Sequence, residues 1–176
     1  MTSETQTGVR LALAAEGEAN VATGLPVLDH FVAELARTAR FKLSLEVAPG
    51  SADAVAAAAG RALGEAIGER LRAPRAAASG WALVPAEEAL ASAALELSER
   101  PLVVTNVDFS DQSVGGLSTD VASRFLRELA DAAHLNLHVR LVEGTDPQHE
   151  LAAIFKAVGA ALGQACRPVP DAKEDS

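Results

Sequence analysis

The chain has 176 residues, 49% of them hydrophobic and 22% charged, with a formal net charge of −9 at pH 7. That mix excludes wholesale disorder, and the length suits one domain or two closely packed halves whose core needs no disulfide or metal to staple it. An excess of 24 acidic over 15 basic residues argues against nucleic acid as a partner, and 3% aromatic content without tyrosine offers no base-stacking platform.

In chain order, Met1 to Gln6 is polar and lacks the basic-then-apolar order of a secretory signal. A strand is expected over 8–14. Leu28, Phe31, Val32, Leu35 and Ala36 then share one helical face within 27–39. Phe41, Leu43, Leu45 and Val47 alternate with Lys42, Ser44 and Glu46, the period-two pattern of a half-buried strand. Pro49-Gly50 turns the chain into an alanine-rich helix over 54–70, for which Asp53 is a natural N-cap. Arg70 to Gly80, with Pro74, reads as a linker. Strands over 90–97 and 101–109 precede a helix over 119–133, a strand over 135–142, a turn at Gly144 to Pro147 and a closing helix over 148–165. Gly60, Gly64 and Gly68 recur every four residues on a helix, a spacing for close packing rather than for a phosphate loop. No apolar run approaches the ~18 residues of a membrane span. Cys166, the only cysteine, permits no intrachain disulfide, so the cytoplasm is the expected compartment.

The two halves repeat. Laying Phe31–Gly50 over Phe125–Gly144, an offset of 94, gives seven identities in twenty pairs, Phe31/Phe125, Glu34/Glu128, Leu35/Leu129 and Ala39/Ala133 among them. With one inserted residue the offset becomes 95, and Gly64 and Gly68 fall on Gly159 and Gly163. The register carries through a helix, a strand, a glycine turn and a second helix, which two alanine-rich helices matching by chance would not do. The expected fold is therefore α+β, an internally duplicated βαβ-type sandwich. Its halves span 1–85 and 86–168, with a mobile acidic tail at 169–176.

Several segments resemble a known family. Thr23-Gly-Leu-Pro-Val-Leu-Asp-His30 is similar to the TGIPFLDH signature of imidazoleglycerol-phosphate dehydratases. Glu4-Thr5, Glu87-Glu-Ala-Leu90, Leu97-Ser-Glu-Arg-Pro101, Leu137-His-Val139 and the run Gly144–Ala157 follow in the family's order. The resemblance implies two halves like the second domain of ribosomal protein S5, each a four-stranded sheet with helices on one face. It implies a lyase of histidine biosynthesis that dehydrates imidazoleglycerol phosphate to imidazoleacetol phosphate. It also implies a trimer, or a multiple of trimers, with two Mn²⁺ ions held between subunits. Two cations on the imidazole ring would make it an electron sink, so that hydroxide can leave a carbon with no acidic neighbour.

By the same resemblance His30, His138 and His149 stand at metal-ligand positions, and Asp53 replaces a ligand glutamate. Glu4 stands at a position that meets substrate, while Arg75, Arg100 and Lys156 stand where the phosphorylated substrate is held. The departures fall on the metal ligands. Pro49-Gly50 takes the place of the first motif's histidine pair, Gln148 that of one histidine in the second motif, and Ala152 that of its glutamate. Three imidazoles of eight ligands remain, so the expectation is a dehydratase with impaired or lost metal-dependent activity. The alternative is a pseudoenzyme, a non-catalytic paralogue serving as a small-molecule-binding or assembly module.

Overall fold

A computed structural model describes residues 6–108, 110 and 112–170. The first half runs β1 (Gly8–Leu13), β2 (Glu18–Ala22), α1 (Pro26–Ala39), β3 (Phe41–Glu46) and α2 (Ala52–Leu71). The second runs β4 (Ser79–Ala86), β5 (Ala89–Leu97), β6 (Leu102–Thr105), the short pair β7 (Ser113–Val114) and β8 (Leu117–Ser118), α3 (Thr119–Ala133), β9 (Leu135–Glu143) and α4 (Pro147–Ala165).

The duplication is written into the sheets. The first has the order β1-β3-β2, and the second β4-β5-β9-β6. In each, a middle strand that follows a helix (β3 or β9) runs antiparallel to one neighbour (β1 or β5) and parallel to the other (β2 or β6). Each parallel pair is joined through a helix, α1 or α3, so each half contains one βαβ unit. The second sheet has the expected four strands, and the first has three among the described residues. β4 precedes residue 86 in sequence yet pairs along its whole length with β5, so the second sheet begins at Ser79.

Both helix pairs lie inside the sandwich. α1 and α2 pack on the first sheet, α3 and α4 on the second, and α1 meets α4 while α2 meets α3. Alternation decides which strand residues face them: Phe41, Leu43 and Leu45 are buried, whereas Lys42, Ser44 and Glu46 face outward. Three phenylalanines, Phe31, Phe125 and Phe155, stack at the centre, each no more than 1% exposed.

Some sequence expectations need correcting. β2 and β4 were not expected, because Glu18–Ala22 is short with one β-branched residue and β4 carries Gly80 and Pro85, which disfavour an interior strand. β4 tolerates both as the edge of its sheet. Among the described residues of the expected strand over 101–109, 102–105 form the strand. Asp53 does not cap α2: Ser51 is the N-cap, its hydroxyl accepting from the Ala54 amide at 3.3 Å. The chain at 168–169 is tied to the loop between the halves, with Pro168 bridging Ala76 and the Val169 amide donating to the Arg75 carbonyl.

Candidate functional site

The segment Thr23–His30 builds a turn and a helix start. The Asp29 carboxylate accepts from both the amide and the hydroxyl of buried Thr23, Gly24 takes a positive φ of 83°, and Pro26 occupies the first turn of α1. Leu28 enters the core, and the Leu25 carbonyl accepts from the Asp29 amide. His30 is the member these local contacts do not explain. It is exposed, with its ring edge-on to Phe31 at 5.5 Å.

His138 lies on β9, on the sheet face turned away from the helices, between Ala94 of β5 and Val104 of β6. His149 lies in the first turn of α4, where its Nδ1 donates to Glu88 Oε2 at 2.6 Å. The other oxygen of Glu88 accepts from the Thr145 amide and hydroxyl and the Asp146 amide. These bonds, led by the Asp146 amide, hold the Glu88 carboxyl down to about 2, and the carboxylate in turn raises the His149 imidazole above its usual range. Sequence reasoning missed Glu88 as the partner of His149, since nothing in a spacing of 61 residues signals the contact.

The pair makes stability depend on pH within a window. Its histidine contribution is complete below 6.5, the value in the unfolded chain, and is lost as pH rises through the raised folded value. Its carboxylate contribution is complete above 4.5 and is lost as pH falls through about 2. We therefore expect the His149 Hε1 resonance to titrate above 6.5, with Glu88→Gln moving the midpoint down. A wild-type midpoint at or below that value would refute the contact.

Asp53, in the first turn of α2, faces Arg124 of α3 at 3.7 Å, and Arg124 also meets Glu128 at 3.0 Å. Arg124 is the repeat counterpart of His30, at the offset of 94. Lys156 of α4 faces Glu34 of α1 at 3.8 Å, and its counterpart Arg61 of α2 faces Glu128 of α3 at 3.6 Å. The two ion pairs are thus one contact made twice across the halves. Arg75 has a positive φ of 68°, and its guanidinium donates to the Val169 carbonyl at 3.4 Å. Arg100 is exposed in the β5–β6 turn, its backbone held by the Ser98 hydroxyl. Glu4 lies outside the described residues. Cys166 is buried, and burial pushes its thiol up to about 12, so it is a packing residue rather than a nucleophile.

Among the described residues of one chain, no three histidine, cysteine, aspartate or glutamate side chains come together in a group that could hold a metal ion. The structure pairs His149 with Glu88 and Asp53 with Arg124, and brings no third donor to either. Two Mn²⁺ ions, each preferring six ligands, would draw on a large set of imidazole and carboxylate donors. Pro49, Gly50 and Ala152 supply none through their side chains. Within one chain, the side chains at 49, 50 and 152 leave positions of a two-metal donor set without a ligand.

Residues 23–162 match the family model for imidazoleglycerol-phosphate dehydratase. The chain is 38% identical to the imidazoleglycerol-phosphate dehydratase of Desulfitobacterium hafniense, across 96% of this chain and 88% of that protein. It is 34% identical to that of Pelobacter propionicus, across 96% and 89%. Its fold superposes on the crystal structure of the Staphylococcus aureus imidazoleglycerol-phosphate dehydratase with a TM-score of 0.85 at 27% identity, covering 93% of this chain and 95% of that one.

Proposed function

The chain belongs to the imidazoleglycerol-phosphate dehydratase family, and from that premise we propose that it retains the family's fold and substrate frame while its metal-dependent dehydration is impaired or lost. The reaction in question converts imidazoleglycerol phosphate to imidazoleacetol phosphate in histidine biosynthesis. The observation that carries the reading is that the side chains at 49, 50 and 152 cannot ligate a metal. His30, His138 and His149 remain as the imidazoles of a reduced site. Arg75 and Arg100 are the proposed phosphate ligands, since a guanidinium fork grips phosphate through parallel hydrogen bonds. Lys156 could join them only by leaving Glu34.

The assembly we propose is a homo-oligomer, a trimer or a multiple of trimers. Among the described residues no helix is long and apolar enough to cross a membrane. The proposed compartment is the cytoplasm.

The test is turnover of imidazoleglycerol phosphate with added Mn²⁺, alongside metal content per chain. Wild type is expected at background, with fewer than two Mn²⁺ per chain. Two bound ions with turnover abolished by His138→Ala would overturn the proposal. A companion variant restores the motifs: Pro49→His, Gly50→His, Asp53→Glu, Gln148→His and Ala152→Glu. A Cβ at Gly50 meets no atom closer than 3.8 Å, so a side chain fits there. Turnover gained by that variant would show that the substrate frame survives. Its absence would favour the second reading, a non-catalytic paralogue that binds a small molecule or acts as an assembly module.

A further inference from the structure

Between α3 and β6, the edge strand of the second sheet, lies an apolar slot of about 40 Å³. Buried Leu126, Val139, Leu151 and Ile154 line its depth, and half-buried Val103 and Val107 complete its wall. Ser123 and Arg127 of α3 stand at its mouth, one helical turn apart on the same face. Neither side chain makes a hydrogen bond or an ion pair among the described residues.

The repeat shows why the mouth is open in this half. Leu43 and Leu137 are counterparts, and strand register sets Ala19 beside one and Val103 beside the other, so Thr23 corresponds to Val107. At the offset of 94, Asp29 corresponds to Ser123 and Ala33 to Arg127. In the first half, buried Thr23 donates to the Asp29 carboxylate, and Ala33 is buried as well. There three residues, 23–25, join β2 to α1, whereas thirteen, 106–118, join β6 to α3. Val107 has no hydroxyl to make the bond that Thr23 makes, so the Ser123 hydroxyl stays unpartnered. A guanidinium stands where the first half buries a methyl group.

The size of the slot and the chemistry of its mouth select the occupant. An apolar cavity of about 150 Å³ holds benzene, and about 10–15 Å³ holds one water. A space of about 40 Å³ therefore takes a short branched alkyl group and no ring. At the mouth, a guanidinium fork and a hydroxyl both offer donors, the pair that receives a carboxylate. Glu128 and Asp131 line an adjoining recess that shares Val103 and Arg127. Their charges favour a head with a single negative charge over a phosphate dianion.

We propose that this slot binds a small aliphatic carboxylate, its branched tail among Leu126, Val139 and Ile154 and its head on Arg127 and Ser123. The binding requires no metal and no turnover.

The probe is 3-methylbutanoate, titrated into the full chain with calorimetry and methyl NMR as readouts. Acetate supplies the head alone, 3-methylbutanamide the tail without charge, and 2-methylpropyl phosphate a dianionic head. Saturable binding is expected on the order of 1 mM, with the methyl resonances of Val103, Leu126 and Ile154 moving together. Each of the three comparison ligands should bind at least ~10-fold more weakly. Arg127→Gln, an exposed change, should weaken 3-methylbutanoate at least ~10-fold, and Val103→Phe, which fills the slot, should abolish its binding. Circular dichroism checks that both variants fold. No saturable binding, methyl shifts confined to other regions, or binding retained by a folded Val103→Phe would overturn the site. Binding unaffected by Arg127→Gln, or equally tight for the amide, would overturn a carboxylate as its ligand. Dehydratase turnover enters none of these readouts, so the proposed function is judged separately.

Discussion

Phe155→Ala is expected to remove about 3–5 kcal/mol of stability, the usual range for truncating a fully buried phenylalanine. At about 2–4 °C per kcal/mol for a domain of this size, the thermal midpoint falls by roughly 6–20 °C. The ring is 0% exposed and stacks on Phe31 at 5.3 Å and on Phe125 at 5.8 Å. Phe31 and Phe125 are repeat counterparts, so Phe155 sits where the two halves meet and contacts the same residue from each. Its own counterpart, at the offset of 95, is Gly60, whose Cα lies against the Phe125 carbonyl. The halves therefore depart from symmetry at their centre, where one side supplies a ring and the other makes room. Close packing around a fully buried ring leaves its neighbours little room to relax, which puts the expected loss in the upper part of the range. Phe155→Leu, which keeps most of the volume and loses the stacking, should cost far less. A midpoint for Phe155→Ala within a degree of wild type would refute this account of the core.

The duplication was legible because both of its signals are periodic. Helical faces and strand alternation repeat at fixed offsets, and the same offsets reappear as the sheet orders β1-β3-β2 and β5-β9-β6. What escaped were elements whose residues deny their own conformation. β2 has five residues with only Ala19 and Val21 facing inward, and β4 contains both a glycine and a proline. The left-handed residues that end α1 and α3 are Arg40 and His134, not glycines, so no composition cue marks them, although they too are repeat counterparts. The candidate site was legible only as a set of positions. The segment Thr23–His30 explains itself as a turn and a helix start, which isolates His30 as the residue the fold does not need. The partners that decide what the remaining positions can do, Glu88 for His149 and Arg124 for Asp53, are 61 and 71 residues away, and long-range side-chain pairing leaves no periodic trace.

Gly64→Ala and Gly159→Ala should both destabilise the protein, against the direction that helix propensity alone requires. Both glycines lie inside helices, where alanine is favoured by about 1 kcal/mol. A Cβ on Gly64 would meet the Leu129 carbonyl oxygen of α3 at 2.5 Å, and one on Gly159 would meet the Leu35 carbonyl oxygen of α1 at 2.3 Å. Leu35 and Leu129 are repeat counterparts, as are the two glycines, so one helix crossing is built twice. The obstructing atom is helical backbone in both cases, which cannot rotate away, and the helices must part. Overpacking of this kind costs about 1–3 kcal/mol and outweighs the propensity gain. Because the two crossings are equivalent, the two variants should lose similar amounts. Gly50→Ala, placed where no atom lies closer than 3.8 Å, serves as the control and should stay within about 0.5 kcal/mol of wild type. Denaturant unfolding of the three variants decides the matter. Stabilisation by Gly159→Ala would mean that α1 and α4 do not approach so closely. A large difference between Gly64→Ala and Gly159→Ala would mean that the halves, alike in sequence, no longer pack alike.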